Sequence, residues 1–142
     1  MTFVKKAATA IAVIALAACG TMSNMMSGGK TVNVSLSGSD EVPPVSTSAR
    51  GSGSFTIGSD GAVKGSVSTS GMQGTAAHIH QGAKGQNGGV IVPLTKSGDT
   101  YTAPDSAKLS EAQMSAFKSG NLYVNVHSAS NKGGEIRGQL QP

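Results

Sequence analysis

In Ala77-His78-Ile79-His80-Gln81-Gly82, polar and apolar side chains alternate. Side chains of an extended strand point to opposite faces in turn, so His78 and His80 share one face and Ile79 takes the other. Leu122-Tyr123-Val124-Asn125-Val126-His127 alternates in the same way. There Leu122, Val124 and Val126 form an apolar face, and Tyr123, Asn125 and His127 form a polar one. The chain contains three histidines in all, and these two strands hold every one. If the strands are neighbours the three imidazoles meet, and three neutral imidazoles can bind Cu(II), Cu(I) or Zn(II).

Working outward, the same period of two recurs. Thr31-Val32-Asn33-Val34-Ser35-Leu36-Ser37 puts Val32, Val34 and Leu36 on one face, as in a half-buried strand. Ala49 to Ile57 reads as a second strand, with Phe55 and Ile57 together. Ala62 to Ser70 reads as a third, with Val63, Gly65 and Val67 together. Between these two, Ser59-Asp60-Gly61 carries the Asp-Gly pair of a hairpin turn. Val90-Ile91-Val92-Pro93-Leu94 is a further strand. Its apolar run predicts burial, and Pro93 predicts an edge or an end. Ser97-Gly98-Asp99 predicts a turn and Thr100 to Ala103 a short strand. Glu135 to Leu140 predicts the last strand.

One helix is signalled. Ser110 and Gln113 have the spacing of a capping box, Met114 and Phe117 lie one turn apart, and Gly120 sits where a helix ends. Charged residues are only 13% of the chain and aromatics 4%, whereas Gly numbers 20. That composition suits short strands and tight turns better than a helical bundle. The expected fold is all-β: an antiparallel, Greek-key-like β-sandwich of about eight strands with one short helix.

The N-terminal segment reads as an address. Lys5 and Lys6 precede an apolar stretch, Ala7 to Ala15, too short to span a bilayer. Leu16-Ala17-Ala18-Cys19-Gly20 follows and resembles the lipobox of bacterial lipoproteins, and Cys19 is the only cysteine. The expected organisation is a signal peptide at 1–18, a flexible lipidated tether at 19–30 and a folded domain at 31–142. Lipidation of Cys19 implies a membrane anchor in the bacterial cell envelope. Gly20 after the cysteine implies the outer membrane, facing the periplasm or the cell surface. Loss of Lys5 and Lys6 halves the formal charge of +4, which removes most of the case for nucleic acid as a partner.

Among the remaining residues, Met22, Met25 and Met26 in the tether and Met72 before the His78 strand are candidate extra ligands for copper, since thioethers are soft donors. A linker that happens to contain methionine is the plainer account of the first three. Asn125 and Tyr123 share the face of His127, and Asn125 could hold an imidazole in one tautomer. Glu41, Glu135 and Arg137 suggest a structural ion pair closing the sandwich near Pro43-Pro44. The glycines between 82 and 89 predict a loop that is mobile or sharply folded, flexible beside the site. No Gly-x-Ser-x-Gly elbow and no phosphate loop occur.

Five blocks carry a family resemblance: Glu41-Val42-Pro43-Pro44, Ala77 to Gly82, Asn87-Gly88-Gly89-Val90, Gly120 to His127, and Gly134 to Leu140. Together, in this order, they resemble the CHRD domain, named for chordin and widespread in bacterial secreted proteins. The growth-factor antagonism of the animal proteins does not carry over, because the cysteine-rich modules are missing here. His78-Ile79-His80 and Val126-His127 also resemble the copper-binding histidines of the copper/zinc superoxide dismutase sandwich. That likeness implies three copper ligands. The chain lacks a fourth histidine to bridge two metals, so the likeness implies a metal grip more than dismutation. Two functions stay open on the sequence: metal binding for storage, delivery or protection, with copper before zinc, and an interaction module for an envelope protein with no metal. A single-copper enzyme ranks behind both.

Overall fold

The computed structural model describes residues 28–142. Cys19, the proposed signal peptide, and Met22, Met25 and Met26 lie outside the described residues. Nine strands form one all-antiparallel sheet that curls almost closed around a single core. In chain order they are β1 (Lys30–Ser37), β2 (Arg50–Ile57), β3 (Val63–Ser70), β4 (Gly74–Gln81), β5 (Val90–Pro93), β6 (Thr95–Ser97), β7 (Thr100–Thr102), β8 (Leu122–Ser128) and β9 (Ile136–Leu140). The helix α1 (Glu111–Lys118) lies between β7 and β8. The order across the sheet is β5-β4-β8-β9-β1-β2-β3-β7-β6. The passages from β3 to β4 and from β7 through α1 to β8 cross between distant strands, which makes the topology Greek-key-like.

The alternation seen in the sequence is the packing pattern. Val32, Val34 and Leu36 of β1, Phe55 and Ile57 of β2, and Val63 and Val67 of β3 are all buried in the core. The β2–β3 hairpin pairs along its full length, from Arg50↔Ser70 to Ile57↔Val63. Its turn places Gly61 at a φ of +88°, where a Cβ would also run into the carbonyl oxygen of Leu109. Ser110 and Gln113 form the reciprocal capping box, with Gln113 N donating to Ser110 Oγ and Ser110 N to Gln113 Oε1. Leu109 and Phe117 bury against the sheet.

Two expectations need correction. The apolar run 90–94 is not uniformly buried: β5 is an edge strand, with Val92 buried and Val90 51% exposed. Pro93 marks the point at which the chain leaves β4 and turns to pair with β7 as β6. Leu94 N still donates to Ala77 O, so one short segment serves both edges and nearly closes the sheet. The ninth strand, β6, was not anticipated. Its residues Thr95, Lys96 and Ser97 are all exposed, so no apolar alternation announces it.

Candidate metal centre

β4 and β8 are adjacent and antiparallel. Their register sets His78 opposite Asn125, His80 opposite Tyr123, and Ala76 opposite His127. It is held by the core, because Ala77 and Ile79 on β4 and Val124 and Val126 on β8 are at most 1% exposed. A slip of one residue would drive imidazoles into that core. The three histidines therefore gather on the outer face of the sheet. One ring nitrogen from each lies within 4.8 Å of the others. Such a triad could hold a metal ion.

Hydrogen bonds orient two of the rings. His80 Nδ1 lies 2.9 Å from Gly88 O, and His127 Nδ1 lies 2.8 Å from Lys132 O. A carbonyl oxygen only accepts, so each Nδ1 carries the proton and each Nε2 presents a lone pair. This is the arrangement in which metal-ligating histidines are held by an outer partner. His80 Nε2 is buried and has no hydrogen-bond partner among the described residues. His78 Nδ1 and His127 Nε2 are 3.0 Å apart. That is a hydrogen-bond length, and it is also near the roughly 3.3 Å between two nitrogens bound tetrahedrally to one ion at about 2.0–2.1 Å.

His78 and His80 favour the neutral ring. Burial, and then the neighbouring His127 and His80 imidazoles, hold the His78 pKa below the ordinary value. Burial is also the main cause of the lowered His80 pKa, against the opposing pull of the Gly88 carbonyl. Neutral imidazole is the metal-binding form.

A polar layer covers the sheet beside the triad. The His80 ring stacks on Tyr123 with centroids 4.9 Å apart and planes 3° from parallel. On the β9 side of the same ring, the Arg137 guanidinium carbon lies 3.4 Å from the Tyr123 centroid. Arg137 is 1% exposed. It donates to Ala83 O at 3.0 Å and, at 3.4 Å, to Asn87 Oδ1 and Gln139 Oε1. Gln139 Nε2 donates to Gly82 O and Gly120 O, both at 2.8 Å, and Gly88 N donates to the Tyr123 hydroxyl at 3.0 Å. The segment 82–89, expected to be mobile or sharply folded, is tied down at Gly82, Ala83, Asn87 and Gly88, which fits the second alternative. Its glycines allow close approach: a Cβ on Gly88 would overlap Gln81 O.

Several expected partners fall elsewhere. Among the described residues no salt bridge joins Glu41, Glu135 and Arg137; the one salt bridge is Lys64–Asp105 at 3.7 Å. Arg137 spends its donors on carbonyl and amide oxygens, whereas Glu135, just ahead of β9, accepts from Thr47 Oγ1 at 2.7 Å. Glu41 is 4% exposed, and burial raises its carboxyl pKa against the lowering effect of the Arg137 charge. Met72 is partly buried against the hydrophobic core, so its thioether serves packing. Main-chain carbonyls set the tautomers of His80 and His127, and Asn125 also interacts with His80. The sequence reading missed Arg137 as the partner of Tyr123, although Arg137 and Gln139 follow the same period of two that exposed the histidines. It could not find Gly88 O or Lys132 O, because a carbonyl carries no side-chain signature.

The fold and site define an antiparallel β-sandwich with a histidine triad on the outside of one sheet. The family model described as CHRD domain matches residues 32–140, and the chain belongs to the CHRD domain family. Comparison with curated proteins gave no match, and comparison with solved structures gave none either.

Proposed function

We propose that this chain is a lipid-anchored extracytoplasmic protein that binds one metal ion, copper before zinc, through His78, His80 and His127, for storage, delivery or protection. The observation that carries the reading is His80. Its Nδ1 is committed to Gly88 O, and its Nε2 is buried with a lone pair and no hydrogen-bond partner among the described residues. A buried polar atom without a partner is costly unless a ligand satisfies it. Three imidazoles suit Cu(II) and Zn(II), and copper is the tighter binder at a given nitrogen site. The lipobox-like stretch ending at Cys19 supports attachment to an envelope membrane.

The test is a Cu(II) titration of the full chain in detergent. One equivalent should bind tightly. A His78→Ala/His80→Ala variant with an unchanged β-type circular dichroism spectrum should lose that binding, and equal binding by the variant would refute the assignment. A second reading, an interaction module for another envelope protein with no metal, has one observation in its favour. The 3.0 Å contact between His78 and His127 satisfies both nitrogens without an ion. It expects the same partner binding, and the same stability, with and without chelator.

A further inference from the structure

Among the described residues, three of the four buried side-chain atoms without a hydrogen-bond partner belong to neighbouring residues: His80 Nε2, Asn125 Oδ1 and Glu41 Oε1. The fourth, Tyr101 OH, lies in the hydrophobic core. Asn125 connects the other two. It is 2% exposed, opposite His78 in the β4–β8 register, and two residues before His127 on the same face. Its amide nitrogen donates to Gly133 O at 3.3 Å and faces the Glu41 carboxyl across Gly134. A side chain at Gly134 would strike both Glu41 Oε1 and Asn125 Nδ2.

The orientation of the amide follows from these partners. Turned round, Asn125 would set its oxygen against two other acceptors, Gly133 O and the Glu41 carboxylate. The nitrogen therefore faces Glu41 and Gly133, and the oxygen is turned away from them, on the strand face that carries the histidines. With its Nδ1 proton on Gly88 O, His80 carries none on Nε2. His80 Nε2 and Asn125 Oδ1 are both buried, and neither has a hydrogen-bond partner among the described residues. A metal ion held by both atoms would satisfy them.

We propose that Asn125 Oδ1 is the fourth ligand of the metal centre, completing a set of three imidazole nitrogens and one amide oxygen, with Glu41 and Gly133 O holding the amide in the ligating orientation. This deepens the assignment of the histidine triad and rests on it. The consequence is selectivity. An amide oxygen is a hard donor, and with Met72 packed into the core the described residues place no soft sulfur at the site. The centre accordingly favours Cu(II) and Zn(II) over Cu(I).

The test uses the full chain in detergent, with Zn(II), Cu(II) and Cu(I) as probes in chelator competition. Asn125→Ala should bind Cu(II) and Zn(II) at least about tenfold more weakly, the scale on which ligand-shell changes act, while Cu(I) affinity changes far less and the Cu(II)/Cu(I) potential rises. Equal losses for all three ions, or no loss, overturn the proposal. Because the variant leaves Glu41 without its amide and can misfold, a second measurement uses the unaltered protein with isotope-labelled asparagine. On Zn(II) titration the Asn125 side-chain carbonyl ¹³C resonance should move and saturate at one equivalent. Imidazole resonances that move while this carbonyl stays still overturn the fourth ligand and leave the triad standing. No response from either removes both.

Discussion

Arg137→Met is the perturbation that most directly probes how the site is supported. The substitution keeps much of the side-chain volume and removes the charge and every donor. In the native chain the guanidinium lies 3.4 Å from the Tyr123 centroid and 3.0 Å from Ala83 O, at 1% exposure. A desolvated cation–π contact is worth about 2 kcal/mol, and one good hydrogen bond from a charged donor about 1.5–3 kcal/mol. The two contacts at 3.4 Å are long and add little. Met regains part of the loss by packing on the ring, and Glu41 escapes some of its share by taking a proton once Arg137 no longer lowers its pKa. The expected net cost is about 3–4 kcal/mol, a large part of the roughly 5–15 kcal/mol that holds a domain folded. Urea unfolding of the chelator-treated protein should show it. With a slope of about 2 kcal/mol/M, the midpoint should fall by about 1.5–2 M. Adding Glu41→Gln should cost less in the Arg137→Met background than in the native chain, because the buried carboxyl has already lost its cation. A cost for Arg137→Met below about 1 kcal/mol would refute the account, since neither the ring contact nor the Ala83 bond could then be stabilising as described.

Tyr101 is fully buried, and its hydroxyl has no partner among the described residues; Tyr101→Phe should therefore be neutral or stabilising by up to about 1 kcal/mol in thermal unfolding, and a clear destabilisation would point to a partner for that hydroxyl. Ser110→Ala removes the hydroxyl that caps α1 and should cost about 1 kcal/mol in the same assay, with no effect on metal affinity; a change in affinity would tie the helix to the site. The pH dependence of the metal-free protein has two opposing contributions. The lowered His78 and His80 pKa values mean that the unfolded chain takes up protons the folded chain refuses, so their contribution is present above the ordinary 6.5 and is lost as pH falls below it. Glu41 has a raised pKa, so its contribution is present below the ordinary 4.5 and is lost as pH rises above it. Between those values the slopes oppose, and Glu41→Gln should make stability rise more steeply with pH; a shallower rise, measured by urea unfolding across that window, would contradict the sign of the Glu41 shift.

Much of this molecule follows from alternation alone. The strand identities, the polar and apolar faces of Ala77–Gly82 and Leu122–His127, the capping box at Ser110 and the gathering of every histidine on polar faces are consequences of side-chain period and turn chemistry, which are local. Thr95–Ser97 escaped because an exposed strand with no apolar residue has no period to detect. Position across the sheet is a different kind of information. That β4 lies beside β8, so that His78 meets His127, is decided by core packing between segments nearly fifty residues apart in sequence. The same holds for the partners of Arg137. Charge alone suggested Glu41 and Glu135, but burial beside Tyr123 put the guanidinium within reach of carbonyls on the 82–89 segment. In the histidine centre, residue types announced the donors. Only the tertiary structure decided which nitrogen of His80 is free and which way the Asn125 amide points, because both depend on main-chain carbonyls and a buried carboxyl brought in from distant loops.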